Sequence, residues 1–321
     1  MSRRFAVLSI GTNSTRLLLA DVEPEIPRVE VARSVGTRIG EGLGEHGRLA
    51  QEPMERTLEA LRLFSREVKG HYVRLIAIAT SALRRAENGD EFAQQVQNLI
   101  GVPLRVLSGE EEAIASYRGA LTAFGTLRGE RVGVLDMGGG STEYAAGTSL
   151  RPDDLVSCEI GAVRLTEAVP ALNGESGKPD DASFERARTL ARDALEPLKQ
   201  YTPVERLAFV GGTATTVAAI LRGRRATIAT HPLRREDLQR VLDRLLTLPL
   251  AERKKVAGMK PQRADILPAG IIVLLTAMDI VGCETAVATT SDLLLGVALQ
   301  ERDALAGRPE KHEGFRTSQA H

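Results

Sequence analysis

The amino-acid sequence predicts an α/β protein built from two similar domains that face each other across a cleft. Segments with strand-like and helix-like patterns of apolar residues alternate along the chain. A strand–turn–strand unit near the N-terminus recurs in the middle of the chain, as expected for a duplicated domain. With 321 residues, 43% of them hydrophobic, the chain is long enough to form two cores.

The recurring unit is the clearest sign of duplication. Residues 7–15 align without gaps on residues 134–142, and in both an apolar strand leads into a turn of small polar residues. A match this short also arises by chance in a glycine-rich chain. If it reflects duplication, each domain offers one polar hairpin tip to the cleft.

The elements of the first half follow from the spacing of apolar residues. Residues 5–10 are typical of a buried strand, and residues 16–22 return beside it as the second strand of a hairpin. Helical spacing predicts a helix over 52–69, followed by a strand over 75–79 and an amphipathic helix over 90–100. Strands and helices therefore alternate in this half.

In the second half, glycine turns mark the ends of strands. A short strand over 104–107 leads into a helix that begins near Glu110, whereas strands over 132–137 and 207–210 each end at glycines. The last helix is predicted over 291–302. Its leucines suit either a core or a subunit contact, so a homodimer is one expectation.

These elements divide the chain into two domains and a tail. We expect the first domain over residues 1–125 and the second over 126–306, with the final helix packing back on the first domain. Residues 307–321 are polar, which predicts a flexible tail.

Composition excludes several classes of function. The 42 basic residues balance the 42 acidic ones, so no overall charge attracts nucleic acid or an anionic membrane. No signal peptide or membrane-spanning run is recognisable, which predicts a cytoplasmic protein. The two cysteines and five histidines lack the spacing of a disulfide framework or a zinc site.

Both hairpin tips suit phosphate. Glycine lets backbone N–H groups approach phosphate oxygens, and serine or threonine hydroxyls add further donors. Each tip alone is equally well explained as an ordinary hairpin turn. The candidate phosphate-binding residues are Gly11, Thr12, Asn13, Ser14, Gly138, Gly139, Gly140, Ser141 and Thr142.

Two groups of carboxylates lie near these turns in the sequence. Asp136 and Glu143 flank the second turn and suit Mg²⁺, although Asp136 could instead cap the turn. Glu110, Glu111 and Glu112 follow Ser108 as in an ordinary helix start, but their crowding would raise at least one pKa toward that of a general base. Spacing alone leaves all three glutamates open.

Two arginines are further candidates for anion contacts. Arg84 comes directly after a predicted strand, and Arg164 follows residues 161–163 in a similar setting. Isolated arginines are more often surface residues than ligands, so neither is decisive alone.

Taken in order, these segments resemble the exopolyphosphatase and guanosine pentaphosphate phosphohydrolase family. The resemblance rests on motifs that extend through most of the chain. They are residues 10–14 (IGTNS), 40–43 (GEGL), 80–84 (TSALR), 108–113 (SGEEEA), 134–143 (VLDMGGGSTE), 161–167 (GAVRLTE), 211–213 (GGT) and 263–270 (RADILPAG).

The resemblance implies the actin-like superfold, with two ribonuclease H-like domains in a short family member. It also implies Glu112 as the base that activates water, Asp136 and Glu143 as magnesium ligands, and Arg84 on the cleft wall. The two glycine turns would bind phosphate.

The implied activity is hydrolysis of the terminal phosphate of inorganic polyphosphate with Mg²⁺ as cofactor. Guanosine pentaphosphate hydrolysis uses the same machinery. A kinase of the same superfold and a binding protein that senses polyphosphate or nucleotide without turnover are the alternatives from other classes.

Two positions depart from the family pattern. Ser9 stands where the family has an aspartate, which would weaken the metal site or place more weight on Asp136 and Glu143. Leu294 and Leu295 replace a basic–acidic pair expected before Gly296.

Overall fold

The chain folds around two mixed β-sheets. The computed structural model describes residues 4–23, 26–124, 129–201, 203–224 and 229–307. Within these ranges, a five-stranded sheet comes from the first half of the chain and a six-stranded sheet from the second. Helices cover both sheets, so the predicted α/β class is confirmed.

The elements of the described residues are as follows. The strands are β1 (Arg4–Ile10), β2 (Thr15–Asp21), β3 (Arg28–Val35), β4 (Arg74–Ala79), β5 (Leu104–Val106), β6 (Val132–Met137), β7 (Thr142–Gly147), β8 (Asp154–Cys158), β9 (Arg206–Val210), β10 (Thr230–Arg234) and β11 (Thr285–Thr289). The helices are α1 (Leu43–His46), α2 (Gln51–Val68), α3 (Ser81–Arg85), α4 (Gly89–Ile100), α5 (Gly109–Leu121), α6 (Ala162–Ala168), α7 (Asp181–Ala194), α8 (Gly212–Leu221), α9 (Arg235–Leu246), α10 (Leu250–Arg253), α11 (Leu267–Val281) and α12 (Leu293–Leu305).

The two sheets repeat one topology. The first has the strand order β3-β2-β1-β4-β5, and the second has β8-β7-β6-β9-β11 with β10 added at its edge. In each, three antiparallel strands are followed by strands parallel to the first. This is the ribonuclease H-like order, and its duplication is the actin-like superfold. The predicted fold class is therefore confirmed.

Helix α5 lies between the two sheets and contacts both. Ala115 joins the apolar cluster formed by β1, β2, β4 and α12, whereas Ala113 and Tyr117 pack against β6, β7 and β9. Because the first turn of α5 contains the acidic motif, this packing places the motif where the two halves meet.

Helix α12 returns to the first sheet and crosses α5. It packs against β1 and β2, and Leu294 and Leu295 are buried there, so in this chain they serve as core rather than as an exposed subunit contact. At the crossing, Gly119 and Gly296 let the helix backbones come very close.

Replacing Gly296 with alanine is expected to destabilise this crossing. A Cβ at position 296 would lie 1.7 Å from the carbonyl oxygen of Ala115, so α12 must move away from α5. We expect the free energy of unfolding to fall by about 3 kcal/mol, the upper part of the range for overpacked cores. Denaturant unfolding checks this result. Gly44→Ala is the control, since its nearest contact would be an ordinary 3.4 Å, and an equal loss in both variants would contradict the interpretation.

Some predicted features lie beyond what the structure describes. The boundary between residues 125 and 126 is outside the described residues, as is the tail after Gly307. The last helix begins at Leu293 rather than at 291 because Asp292 is its N-cap and accepts a bond from the N–H of Leu294. Over the described ranges, the length and hydropathy needed to cross a membrane occur together in no helix.

Candidate active site

The two glycine turns have the same internal structure and pack against each other. Gly11 N–H donates to the carbonyl of Ser14, and Gly138 N–H donates to that of Ser141, each at 3.0 Å. A Cβ on Gly139 would lie 3.1 Å from Cβ of Thr12. The sequence-predicted pair of hairpin tips is therefore one continuous surface.

Glycines allow the residues around the two turns to pack closely. A Cβ on Gly140 would lie 2.8 Å from the hydroxyl oxygens of both Thr12 and Ser81. Gly40 is equally constrained, since a Cβ there would lie 2.4 Å from Cγ2 of Thr12. Gly40 of the 40–43 motif thus packs directly against the first turn.

Polar atoms around the turns lack protein partners. Neither Oδ1 nor Nδ2 of Asn13 is hydrogen-bonded, although the residue is only 3% exposed, and Oγ of Ser81 is also without a partner. Buried polar atoms are almost always satisfied, so unpaired ones at a turn indicate a polar ligand. Thr142 differs, because its hydroxyl donates to the carbonyl of Ile160 at 2.6 Å.

Asp136 and Glu143 are direct neighbours across the β6–β7 pair. A hydroxyl holds each carboxylate: Ser116 donates to Asp136, and Ser157 donates to Oε1 of Glu143 at 2.9 Å. Desolvation raises the pKa of Asp136 to about 6, against the opposing effect of the Ser116 bond. Desolvation, Glu112 and Asp136 together hold the pKa of Glu143 well above its usual range.

The structure separates the three glutamates at the start of α5. Glu111 completes a capping box, accepting from Ser108 N–H at 2.8 Å, and Glu110 is exposed. Glu112 is 5% exposed and faces the cleft, where it is hydrogen-bonded by Arg84. Glu112 and Glu143 are buried and Asp136 is half-buried, and the three carboxylates interact electrostatically.

Burial raises the pKa of Glu112 to about 7, although the charge and hydrogen bond of Arg84 oppose this shift. The repulsion of Asp136 and Glu159 adds to the increase. Arg84 also donates to the carbonyl of Leu107 at 2.6 Å, which fixes its guanidinium beside the carboxylate. A carboxylate with this pKa is suited to accept a proton near neutrality.

The first hairpin differs from the second at two equivalent positions. Ser9 corresponds to Asp136, and its cross-strand neighbour Arg16 corresponds to Glu143. Arg16 is ion-paired with Asp292, a residue far away in the sequence, and its charge also acts on Asp136. No sequence motif predicts the Arg16–Asp292 pair.

Arg263 is a further residue at the turns. Its Nη2 lies 3.5 Å from Oγ of Ser14, and its guanidinium covers Gly212, where a Cβ would lie 1.9 Å from it. Burial and the nearby Arg16 lower the pKa of Arg263 to about 10. Its place in the 263–270 motif was the only sequence signal for this position.

A cavity of about 500 Å³ adjoins these arginines. Arg16, Arg263 and the N-terminus of α8 form its polar part, and Leu17 and Leu295 belong to its apolar walls. The cavity therefore suits a ligand that combines an anionic and an apolar part.

Raised carboxylate pKa values predict how stability depends on pH. The folded-state pKa values of Glu112 and Asp136 lie above the ordinary values of 4.5 and 3.8, so the folded protein binds protons more tightly. Their stabilising contribution is present below the ordinary values and is lost as pH rises through about 6 and 7.

We therefore expect Glu112→Gln to match the wild type in melting temperature at pH 4, below the ordinary pKa of 4.5, and to exceed it at pH 8. At pH 8 the free energy of unfolding should be higher in the variant by a value on the order of 2 kcal/mol, because burying the neutral amide requires no desolvation of a charge. The exposed variant Glu110→Gln is the control. A wild type that is more stable than Glu112→Gln at pH 8 would contradict this sign.

No group of three or more His, Cys, Asp and Glu side chains is arranged to hold a metal ion in the described part of the chain. Asp136 and Glu143 are the pair to consider, since they are adjacent and oriented by hydroxyls. Two carboxylates with water and phosphate oxygens form a common magnesium environment. The residues present fit such an ion.

Comparison with known proteins gives a consistent result. The model of the Ppx/GppA phosphatase family matches residues 22–295. Exopolyphosphatase 2 of Mycobacterium tuberculosis is 35% identical over 320 residues, covering 92% of this chain and 98% of that protein.

Solved structures are similar over nearly the whole chain. The crystal structure of an exopolyphosphatase-like protein has a TM-score of 0.87 and 28% identity, covering 95% of this chain and 99% of that one. An exopolyphosphatase from Cytophaga hutchinsonii has a TM-score of 0.85 and 25% identity, with coverage of 94% and 98%. The chain belongs to the Ppx/GppA phosphatase family and is a phosphoanhydride hydrolase.

Proposed function

We propose that this protein is an exopolyphosphatase that releases the terminal phosphate of inorganic polyphosphate. The observation that carries the proposal is the position of Glu112, a buried carboxylate with a pKa of about 7 whose charge acts on Glu143, directly after the second glycine turn. The similarity to exopolyphosphatase 2 of Mycobacterium tuberculosis supports the same substrate.

The turns bind the terminal phosphate in this proposal. Backbone N–H groups of residues 12–14 and 139–141 donate to its oxygens, and the unpaired amide of Asn13 and hydroxyl of Ser81 complete the donor set. Donors fixed before the substrate arrives need no rearrangement as charge develops on the oxygens. Binding and transition-state stabilisation therefore use the same groups.

Glu112 acts as the general base. It accepts a proton from the water that attacks the terminal phosphorus, in line with the departing phosphate chain. Arg84 holds the carboxylate in place through its bond to Glu112 and is itself fixed by the carbonyl of Leu107. Arg84 also contributes positive charge beside the attacked phosphate.

Asp136 and Glu143 would hold a magnesium ion. When bound, the ion supplies positive charge that neutralises the phosphate oxygens. Ser9 leaves the first hairpin without a carboxylate at the equivalent position, so we expect weaker magnesium binding than in a site with a third acidic residue.

The proposal also covers the cellular location and the binding partners of the enzyme. We assign it to the cytoplasm, with a polyphosphate or guanosine polyphosphate substrate and no nucleic-acid or membrane partner. The equal numbers of basic and acidic residues, 42 each, support this assignment. The proposal also keeps the division of the chain into two domains near residue 125.

A second candidate is hydrolysis of guanosine pentaphosphate. The cavity beside Arg16 and Arg263 favours it, because its 500 Å³ and its apolar walls would accommodate a nucleoside next to the phosphate turns.

Phosphate release from long-chain polyphosphate and from guanosine pentaphosphate, each with and without Mg²⁺, tests both candidates. We expect magnesium-stimulated release with the higher kcat/KM on polyphosphate. A higher value on the nucleotide would transfer the assignment to the second candidate. Tight binding without release from either substrate would instead indicate a sensor.

A further inference from the structure

At the mouth of the cleft, two arginines from opposite sides share one carboxylate. Arg85 belongs to α3 beside the first sheet, whereas Arg164 belongs to α6 beside the second. Oε2 of Glu159 lies 2.8 Å from Nη1 of Arg164 and 3.9 Å from Nε of Arg85. Burial and the repulsion of Arg164 lower the pKa of Arg85, so the two guanidinium groups oppose each other at this place.

This cluster is continuous with the catalytic groups. Arg85 follows Arg84, which is hydrogen-bonded to Glu112, and the charge of Glu159 acts on Glu112. Backbone N–H groups of Val163 and Arg164 donate to the carbonyl of Gly139 at 2.9 and 3.1 Å. The position of Arg164 is therefore fixed relative to the second glycine turn.

The carboxylate of Glu159 is well placed to be displaced. Its side chain is 54% exposed, and exposed ion pairs contribute little stability. A phosphate group offers more charge and more acceptor oxygens than a carboxylate, and arginine binds it in the same forked geometry. Glu167 is less able to compete with phosphate for the two arginines, because the backbone of Gly42 is hydrogen-bonded to it.

We propose that Arg85 and Arg164 form a phosphate-binding subsite beside Glu112, and that the carboxylate of Glu159 occupies this subsite in the free protein. The proposal rests on the hydrolase function for the source of the phosphate. That source is either the orthophosphate released at Glu112 or a further unit of the substrate chain. In both cases the ligand is a tetrahedral phosphate group that replaces Glu159.

Titration with inorganic phosphate, followed by calorimetry, tests the subsite without turnover. Arg85→Gln and Arg164→Gln should each weaken binding roughly ten-fold or more, because a charge-assisted bond is lost. Glu159→Gln should strengthen binding about two- to five-fold, since the competing carboxylate is removed. Unchanged or weaker binding in Glu159→Gln, or wild-type binding in either arginine variant, would overturn the proposal.

The pair Glu185 and Arg188 on α7 provides matched controls. Its two groups lie 3.9 Å apart, and both are more exposed than their counterparts in the ion pair at the cleft. Glu185→Gln and Arg188→Gln should leave phosphate affinity within about two-fold, the effect of exposed pairs. Larger changes in these controls would show that general charge, rather than the subsite, determines binding and would overturn the proposal.

Kinetics with Glu159→Gln distinguish the two sources. If the ligand is released orthophosphate, the inhibition constant for phosphate falls, while KM is unchanged for both triphosphate and long chains. If it is a substrate unit, KM falls for long chains and not for triphosphate. Stronger phosphate binding in a protein that releases no phosphate from polyphosphate would refute the proposed function and leave the subsite in place. A Glu159→Gln variant in which none of these constants changes would overturn the subsite.

Discussion

Replacing Glu112 with glutamine is expected to lower kcat for phosphate release by about 10²- to 10⁴-fold, the usual contribution of a general base. The amide keeps the shape of the side chain and its contact with Arg84, but it cannot accept a proton from water. Substrate binding should change little, because the glycine turns and not Glu112 hold the phosphate. Single-turnover phosphate release and equilibrium binding separate the two effects.

The matched control is Glu110→Gln, on the same helix turn but exposed to solvent. It should retain wild-type turnover. In the wild type, kcat/KM should decline as the pH falls below the pKa of Glu112, about 7, because the protonated carboxyl is no longer a base. Rapid turnover in Glu112→Gln, or an equal loss in Glu110→Gln, would remove Glu112 from its assigned role.

The second large effect is expected from Asp136→Asn. The substitution removes one of two adjacent carboxylates and keeps a group that can still bond with Ser116. We expect the magnesium concentration for half-maximal activity to rise by at least about ten-fold, with a fall in kcat/KM of similar size or larger. Activity measured across magnesium concentrations checks this expectation.

Ser9→Asp tests the same metal site by adding a carboxylate instead of removing one. It adds a carboxylate at the position of the first hairpin that corresponds to Asp136, beside the positive charge of Arg16. We expect it to lower the magnesium requirement, whereas Asp136→Asn raises it. An Asp136→Asn enzyme with the wild-type magnesium dependence would show that the metal site lies elsewhere.

The sequence predicted those features that depend on local patterns. Runs of apolar residues predict β1, β2 and β6, and the repeated topology confirms that the glycine turns after β1 and β6 are equivalent. The spacing of residues could not select the proposed base, because Glu110, Glu111 and Glu112 occupy one helix turn. In the structure, burial and Arg84 distinguish Glu112 from its neighbours.

The remaining features depend on contacts between distant parts of the chain. Arg16 meets Asp292 only because α12 returns to the first sheet, and Arg263 reaches Ser14 only because the two halves face each other. No local pattern encodes either contact. The crossing of α5 and α12 likewise requires Gly119 and Gly296 together, although each alone reads as an isolated helix glycine.

The central claim is that the enzyme removes phosphate from the end of a polyphosphate chain by attack of water. Product analysis of long-chain polyphosphate in ¹⁸O-enriched water with Mg²⁺ tests it most directly. The account predicts orthophosphate carrying one oxygen from solvent as the only small product, while the remaining chains shorten gradually. Early appearance of short oligophosphates from cleavage within the chain, orthophosphate without solvent oxygen, or no release at all would contradict it.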